Sequence, residues 1–267
     1  MDTEKEGRAQ YRADIVIRAK GGHELTARAI KSIRDNTPAG QYRIILVDDG
    51  SDPPLFEHLG DPGDLYMARP EPGGAVSATN LGFQAALTFR DSAYVMVMDN
   101  DAAVPDGDRT WLFRFISELV EHPDTAVVGA TTNFANPPQH ILTAPATFER
   151  DWQEKGQGFG RKENPPVPAL VSFACLIRKE VIAQLGLWDE RYDPGNFEDT
   201  DFAVTVRVAG YKVRVARSVY IHHEGHKTFS KDLKLLLARN REKFIQKWGA
   251  GRLMDLGLVK PEEVAGP

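Results

Sequence analysis

At 267 residues the chain is long enough for one large α/β domain or two small ones, with a substantial buried core. Its hydrophobic fraction of 42% and charged fraction of 27% are ordinary for a globular enzyme, and a net charge of -5 excludes the basic excess expected for nucleic acid or an anionic membrane, so an anionic ligand must be held by local groups or a bound cation. The lone Cys175 rules out an intramolecular disulfide, Met1–Arg12 has no signal-peptide core, and no run reaches the ~18 apolar residues that span a bilayer; the expectation is a cytoplasmic protein without a transmembrane segment, with peripheral attachment at the inner face of a membrane left open.

After the polar tail, Asp14–Ile17 reads as a strand. Apolar residues at Leu25, Ala29, Ile30 and Ile33 give Glu24–Ile33 the spacing of a helix with one buried face, stopped by Asn36, Pro38 and Gly40. Arg43–Val47 is a second strand, apolar throughout as when both faces of a parallel sheet are covered. It ends in the turn-forming cluster Asp48-Asp49-Gly50-Ser51-Asp52-Pro53-Pro54. Ala75–Phe89 reads as a helix, Tyr94–Met98 as a strand, Trp111–Val120 as a helix and Ala126–Gly129 as a strand. Strands alternating with helices predict a doubly wound, mostly parallel sheet. Ligands bind beyond the carboxyl ends of strands in such sheets, where both acidic clusters lie.

Between Asn133 and Pro168 the period is lost among prolines and glycines, the mark of a functional or disordered loop. Val171–Ile177 resumes as a strand and Lys179–Leu185 as a short helix. Asp199–Ala209 is helical with Phe202, Val206 and Ala209 on one side. Val213–Ala216 and Val219–Ile221 are two further strands. Ser230–Trp248 is a final helix with Leu233, Leu237, Phe244 and Trp248 in one stripe. No repeat and no linker divides the chain.

Five clusters carry chemistry. Asp99-Asn100-Asp101 follows an apolar strand and sets two carboxylates two residues apart, hard oxygen ligands suited to Mg²⁺ or Mn²⁺. Taken alone, such a turn is as easily a solvated acidic loop. Asp49, in Val47-Asp48-Asp49-Gly50-Ser51, can accept hydrogen bonds from a base edge or a ribose hydroxyl, although Asp, Gly and Ser also fill such turns for backbone reasons. Gly73-Gly74-Ala75 permits close backbone approach, and Asn80 in Asn80-Leu81-Gly82 offers an amide. Glu198 and Asp199 start a helix, where the macrodipole favours carboxylates and where a base for a hydroxyl acceptor can be fixed. His222-His223-Glu224-Gly225-His226 follows a strand; imidazole can complete the coordination of Mn²⁺, although histidines also occur there simply as polar loop residues.

In this order the motifs resemble the family-2 glycosyltransferases of the GT-A fold, from the Asp14 strand to about Phe229. Val47-Asp48-Asp49-Gly50-Ser51 looks like the family's nucleotide-binding turn, Asn80-Leu81-Gly82 its Asn-x-Gly helix, and Asp99-Asn100-Asp101 its Asp-x-Asp motif. Glu198-Asp199 resembles its base-supplying pair, and His222-His223 with Thr228-Phe229 its histidine segment. The end of the first strand departs from the pattern. It reads Arg18-Ala19-Lys20-Gly21-Gly22, so Arg18 and Lys20 are candidates for phosphate or ribose contact, with Glu24 a further candidate for the nucleoside pocket. Asn100 stands where Asp is frequent.

The resemblance implies a single Rossmann-like GT-A domain over 13–250, with a nucleotide-binding half to about 130, an acceptor-binding half from about 131, and tails at 1–12 and 251–267. It implies Mn²⁺ or Mg²⁺ on Asp101, Asp99 and His222 or His223, with Asp99 and Asn100 near the nucleotide. It further implies a nucleoside-diphosphate sugar donor, a hydroxyl acceptor on a glycan or lipid-linked glycan, Asp199 as base, Glu198 beside it, and inversion. Trp152 and Phe159 are candidates to stack on a sugar. A nucleotidyltransferase that makes nucleotide-sugars and a non-catalytic binding module on the same fold are the alternatives. The absence of Gly-x-Gly-x-x-Gly after the first strand argues against a nicotinamide dehydrogenase.

Overall fold

The computed structural model describes residues 12–141, 164–225 and 233–260. The chain runs β1 (Ala13–Ala19), α1 (His23–Asn36), β2 (Tyr42–Asp48), a 3-10 turn at Leu55–Glu57, β3 (Leu65–Ala68), α2 (Ala75–Thr88), β4 (Tyr94–Asp99), β5 (Ala102–Ala103), α3 (Trp111–Glu121) and β6 (Thr125–Thr131). It continues with β7 (Ala174–Arg178), α4 (Lys179–Leu185), a 3-10 turn at Glu190–Tyr192, α5 (Glu198–Val208), β8 (Lys212–Tyr220), β9 (His222–His223), α6 (Leu233–Trp248) and α7 (Ala250–Asp255).

Seven strands form one sheet in the order β3-β2-β1-β4-β7-β6-β8. It is an α/β, mostly parallel sheet of the GT-A kind: β7 alone runs antiparallel to both of its neighbours, β4 and β6. The strands are apolar throughout because each face has its own core. Ile15, Ile17, Ile44, Leu46, Met96 and Met98 point towards α1 and α3, meeting Ile30, Ile33, Trp111 and Phe115. The alternate residues Val16, Ile45, Val47, Val95 and Val97 point the other way, onto Phe83, Val181, Phe202, Val206 and Phe244. This is the period of two of a strand, read on both sides. Gly82 lets α2 sit close to β1, since a Cβ there would lie 2.3 Å from Val16.

Several elements differ from the sequence reading. β3 had no expected counterpart. The two strands expected over 213–216 and 219–221 are one, because the polar pair Arg217-Ser218 lies within β8 with Arg217 on its exposed side. The segment expected as a C-terminal tail opens with α7, whose Leu253 is buried. In α6 the buried apolar contact comes from Phe244, while Leu237 is exposed. The described parts of the proline-rich segment are bonded into the fold. Gln139, buried, donates to the carbonyls of Ala130 (3.1 Å) and Val171 (3.0 Å). Trp152, Phe159, His226, Thr228 and Phe229 lie outside the described residues, as does the start expected for the last helix.

Candidate active site

The ends of β1, β2 and β4 lie side by side at one edge of the sheet. The β1 and β2 ends are tied together, for the Gly21 amide donates to Ser51 Oγ at 2.7 Å. A chain reversal after Asp99 starts β5, and the short β5–β9 ribbon pairs Ala102 with His223. This ribbon is what brings the histidine segment onto the acidic turn, with the Glu224 amide donating to the Asp101 carbonyl at 3.1 Å.

Asp99, Asp101 and His223 each offer one ligand atom, and the three atoms lie within 4.8 Å of one another. His223 Nε2 is 3.3 Å from Asp101 Oδ1 and 3.7 Å from Asp99 Oδ2. Its Nδ1 sits 2.9 Å from the Phe134 carbonyl oxygen, which assigns a proton to Nδ1 and turns Nε2 towards the carboxylates, where it donates while protonated and can ligate a cation once that proton leaves. The ring is further fixed by stacking on Phe173, centroids 5.0 Å apart, and by Asn133, whose amide group bonds the His223 backbone on both sides. In the metal-free site, burial raises the Asp101 pKa, but the His223 hydrogen bond and charge more than offset it, leaving the group below its ordinary range. Burial likewise disfavours the His223 cation, and the two carboxylates outweigh it and raise the imidazole. Two carboxylates and a pre-oriented imidazole nitrogen are a donor set that fits Mn²⁺ or Mg²⁺. His222, the other histidine expected to be available, is not in this group; its Nε2 faces Glu224 at 3.5 Å, and Glu224 is paired with Arg28 at 2.8 Å.

The expected nucleotide contacts divide. Arg18 and Asp99 are paired at 2.8 Å, so Arg18 is committed to the acidic turn and, through 3.1 Å, to Thr79 Oγ1. Lys20 and Glu24 are exposed at the β1 end and the first turn of α1. Asp49 is buried and accepts from the amides of Gly73 and Gly74, both at 2.9 Å, so the second acidic turn organises the glycine loop before α2. Its neighbour Asp48 accepts from the Ser51 and Leu55 amides and from the Tyr66 hydroxyl. Asn100 reaches Thr26 Oγ1 at 3.0 Å, pinning the acidic turn to α1. Asn80 does not face the cleft. It is buried, donating to the Trp188 carbonyl (2.8 Å) and Glu190 Oε1 (2.9 Å) and accepting from the Trp188 amide (3.0 Å), a tie between α2 and the loop before α5.

Glu198 and Asp199 open α5 as expected. Asp199 Oδ2 accepts from the Ser172 amide at 3.2 Å and its Oδ1 from the Thr200 amide at 2.6 Å. The next carbonyl along, that of Phe173, accepts from the Asp99 amide at 2.8 Å. Consecutive residues thus hold the helix-borne carboxylate and the acidic turn. Burial drives both α5 carboxyls up, Glu198 to about 8 with the neighbouring Asp199 adding to it. Asn133, Phe134, Ser172 and Phe173 were not singled out individually in the sequence. Asn133 at the head of the proline-rich segment was the one visible hint.

A doubly wound sheet with a carboxylate-imidazole cluster at its strand ends, and a carboxylate pair at the start of α5, has the layout of the GT-A class. Residues 14–186 match the sequence profile of Glycosyl transferase family 2, and the chain belongs to that family. The matched region ends before Glu198, Asp199 and His223. No curated protein matches the sequence. Among solved structures, the chain is similar to GalNAc-T7 with UDP, GalNAc and Mn²⁺ (TM-score 0.67, 17% identity, covering 96% of this chain and 52% of that one). It is also similar to the mannosyltransferase PcManGT from Pyrobaculum calidifontis with GDP-Man and Mn²⁺ (TM-score 0.63, 17% identity, 88% and 63%). A third is S. aureus TarS (TM-score 0.55, 13% identity, 79% and 36%). The chain spans between about one third and two thirds of the length of these proteins. Among the described residues, no helix is long and apolar enough to cross a membrane.

Proposed function

We propose that the chain is an inverting glycosyltransferase that moves a sugar from a nucleoside-diphosphate sugar to a hydroxyl of a glycan or lipid-linked glycan. The observation that carries this reading is the Ser172-Phe173 step, which sets Asp199 and Asp99 on neighbouring backbone groups. A base at Asp199 would then share one site with a cation held at the Asp99 turn, as a displacement between acceptor hydroxyl and diphosphate requires.

Asp99, Asp101 and His223 would hold a divalent cation, which when bound supplies positive charge to a departing diphosphate. Asp199 takes the acceptor's hydroxyl proton. The acceptor oxygen then bonds the anomeric carbon as the bond from that carbon to the diphosphate oxygen breaks, and the nucleoside diphosphate leaves. In-line attack inverts the anomeric centre. Two features equip Asp199 for this role. Two amides, from Ser172 and Thr200, orient its carboxylate, and burial makes it a stronger base than a solvated aspartate. Glu198, pushed up to about 8, keeps its proton at neutral pH and orients the acceptor or the base as a donor. Arg18 pairs with Asp99 and is within electrostatic reach of Glu198 and Asp199, so it offsets the charge of the two aspartates. The first residues of the proline-rich segment, Asn133–Phe134, flank His223, which favours that segment as the acceptor border.

The relatives carry UDP in one case and GDP-Man in the other, so uridine, deoxythymidine and guanosine diphosphates are the panel to screen. Binding with and without Mn²⁺ is read as a rise in melting temperature. Asp101→Ala and Asp199→Asn should both abolish transfer, and only the first should also remove the Mn²⁺-dependent part of nucleotide binding. Transfer at the wild-type rate by Asp199→Asn would show that another group is the base. A retained anomeric configuration in the product would rule out single displacement.

A further inference from the structure

The backbone that delivers Glu198 and Asp199 enters α5 through two left-handed residues that are not glycine, Asn196 (φ 72) and Phe197 (φ 77). Such a conformation persists only where surrounding contacts over-determine it. Those contacts come from α6, nearly fifty residues further along the chain. Asn240 is fully buried there, and its side-chain amide nitrogen lies 2.8 Å from the Tyr192 carbonyl, 2.9 Å from that of Gly195 and 3.0 Å from that of Asn196. Three carbonyls converge on one NH₂ group, the arrangement that a curled loop needs when its carbonyls cannot reach water. Around this centre, Arg239 donates to the Asp193 carbonyl at 2.8 Å. The Phe244 ring packs on Phe197, centroids 5.5 Å apart, holding the second left-handed residue by its side chain. Lys247 and Trp248 donate to opposite oxygens of Asp201, both at 2.7 Å, securing the first turn of α5 just past the carboxylate pair.

We propose that Asn240 is a positioning residue for the transfer step: by gathering the Tyr192, Gly195 and Asn196 carbonyls it fixes the left-handed entry to α5, and so the place of the Asp199 carboxylate relative to Asp99. This rests on the reading of Asp199 as the base. Asn240 touches neither the acidic turn nor the strand ends where a nucleotide would lie, so its removal should separate turnover from nucleotide binding. Displacing a catalytic group by about 1 Å is enough to cost up to ~100-fold in rate.

The test compares Asn240→Ala and Asn240→Ser with the wild type, Ser retaining one donor in case the Ala variant does not fold. Amide hydrogen exchange is followed over 192–201 and over β1 and β4, Mn²⁺-dependent UDP and GDP binding by thermal shift, and donor turnover as UDP release from UDP-glucose and GDP release from GDP-mannose. The expected result is faster exchange confined to 192–201, unchanged Mn²⁺-dependent nucleotide shifts, and kcat lowered by about tenfold or more with little change in KM. Exchange over 192–201 that matches the wild type, or a folded variant with wild-type kcat, overturns the proposal. Exchange that rises equally in β1 and β4 also overturns it, because Asn240 would then serve only global stability. Asp199→Asn is run alongside. If it retains full turnover, the base assignment fails whatever Asn240 does; if it is inactive while the Asn240 variants turn over normally, only the positioning role fails.

Discussion

Arg18 Nη2 and Asp99 Oδ1 form an ion pair of 2.8 Å across adjacent parallel strands, at register partners of β1 and β4. The pair is mostly buried, and Arg18 also donates to Thr79 on α2. One Asp99 oxygen is therefore held by a guanidinium while the other faces His223. The same cation feels the α5 carboxyl pair, and despite the cost of burial its charged form is reinforced, most of all by Asp99. Arg18→Met leaves these groups without it. The expected outcome is a loss of about 1–3 kcal/mol of stability and a large fall in turnover. Arg18→Lys keeps the charge but loses the forked geometry, and should fall between the two. Urea unfolding midpoints and donor turnover check both; a Met variant as active as wild type would remove Arg18 from the site.

The two adjacent histidines make a sharper contrast. His223 faces Asp101 and Asp99 with an oriented Nε2, whereas His222 faces Glu224 on the outside of the β5–β9 ribbon. His223→Ala should weaken Mn²⁺ binding at least about tenfold, comparable to or beyond the loss of an outer partner. His222→Ala should change it by less than about twofold, since an exposed ion pair contributes little. Calorimetric Mn²⁺ titration in the presence of nucleoside diphosphate reads both. Equal losses would mean that the ribbon, and not the imidazole, is what matters.

The buried carboxyl pair predicts a pH dependence of stability. Burial and the neighbouring Asp199 raise Glu198 from the ordinary carboxyl range to about 8. The folded protein then holds a proton that the unfolded chain releases near pH 4.5. Its contribution is complete below that lower value and fades as pH rises through the folded one. Melting temperature measured without added metal should therefore decline between about pH 4.5 and pH 8 and level off above that range. Glu198→Gln, which mimics the protonated form, should flatten the decline and be the more stable protein at the alkaline end. An unchanged slope in that variant would assign the effect to another group.

The parallel half of this architecture was legible because its residues are local and periodic. Continuous apolar strands ending in Asp, and helices between them, dictate a sheet covered on both faces with its ligand edge at the strand ends. Lys179–Leu185 coincides with α4 to the residue. What escaped was whatever depends on distant pairing. β3 is a four-residue, half-exposed edge strand among turn formers, with too few residues to show a period. β5 and β9 have two residues each and exist only as partners, so the choice between His222 and His223 was not present in either segment alone. The direction of β7 depends on how the chain returns after the proline-rich segment, for which no local pattern exists. Likewise the carbonyls gathered by Asn240 lie more than forty positions away.

Asn80 shows what such distant pairing does to a motif. In sequence it belongs to an Asn-x-Gly helix expected to face the nucleotide. In the fold its amide bridges 108 residues, exchanging two hydrogen bonds with the Trp188 backbone and donating a third to Glu190. Two residues on, Gly82 allows α2 to press against Val16, so the same helix turn packs on the sheet through the glycine and ties to the loop before α5 through Asn80. Both Nδ2 contacts and the Oδ1 contact are used, leaving little capacity for a ligand. Asn80→Leu would leave the Trp188 amide and carbonyl buried without their partner, a cost of about 1–3 kcal/mol for each unsatisfied group. The expected variant is therefore distinctly less stable. At a temperature where it is folded, its Mn²⁺-dependent nucleotide affinity should match the wild type, with any loss of turnover arising through the 188–197 loop. Thermal denaturation and nucleotide titration separate the two roles: a fall in nucleotide affinity without a fall in stability would return Asn80 to the nucleotide site.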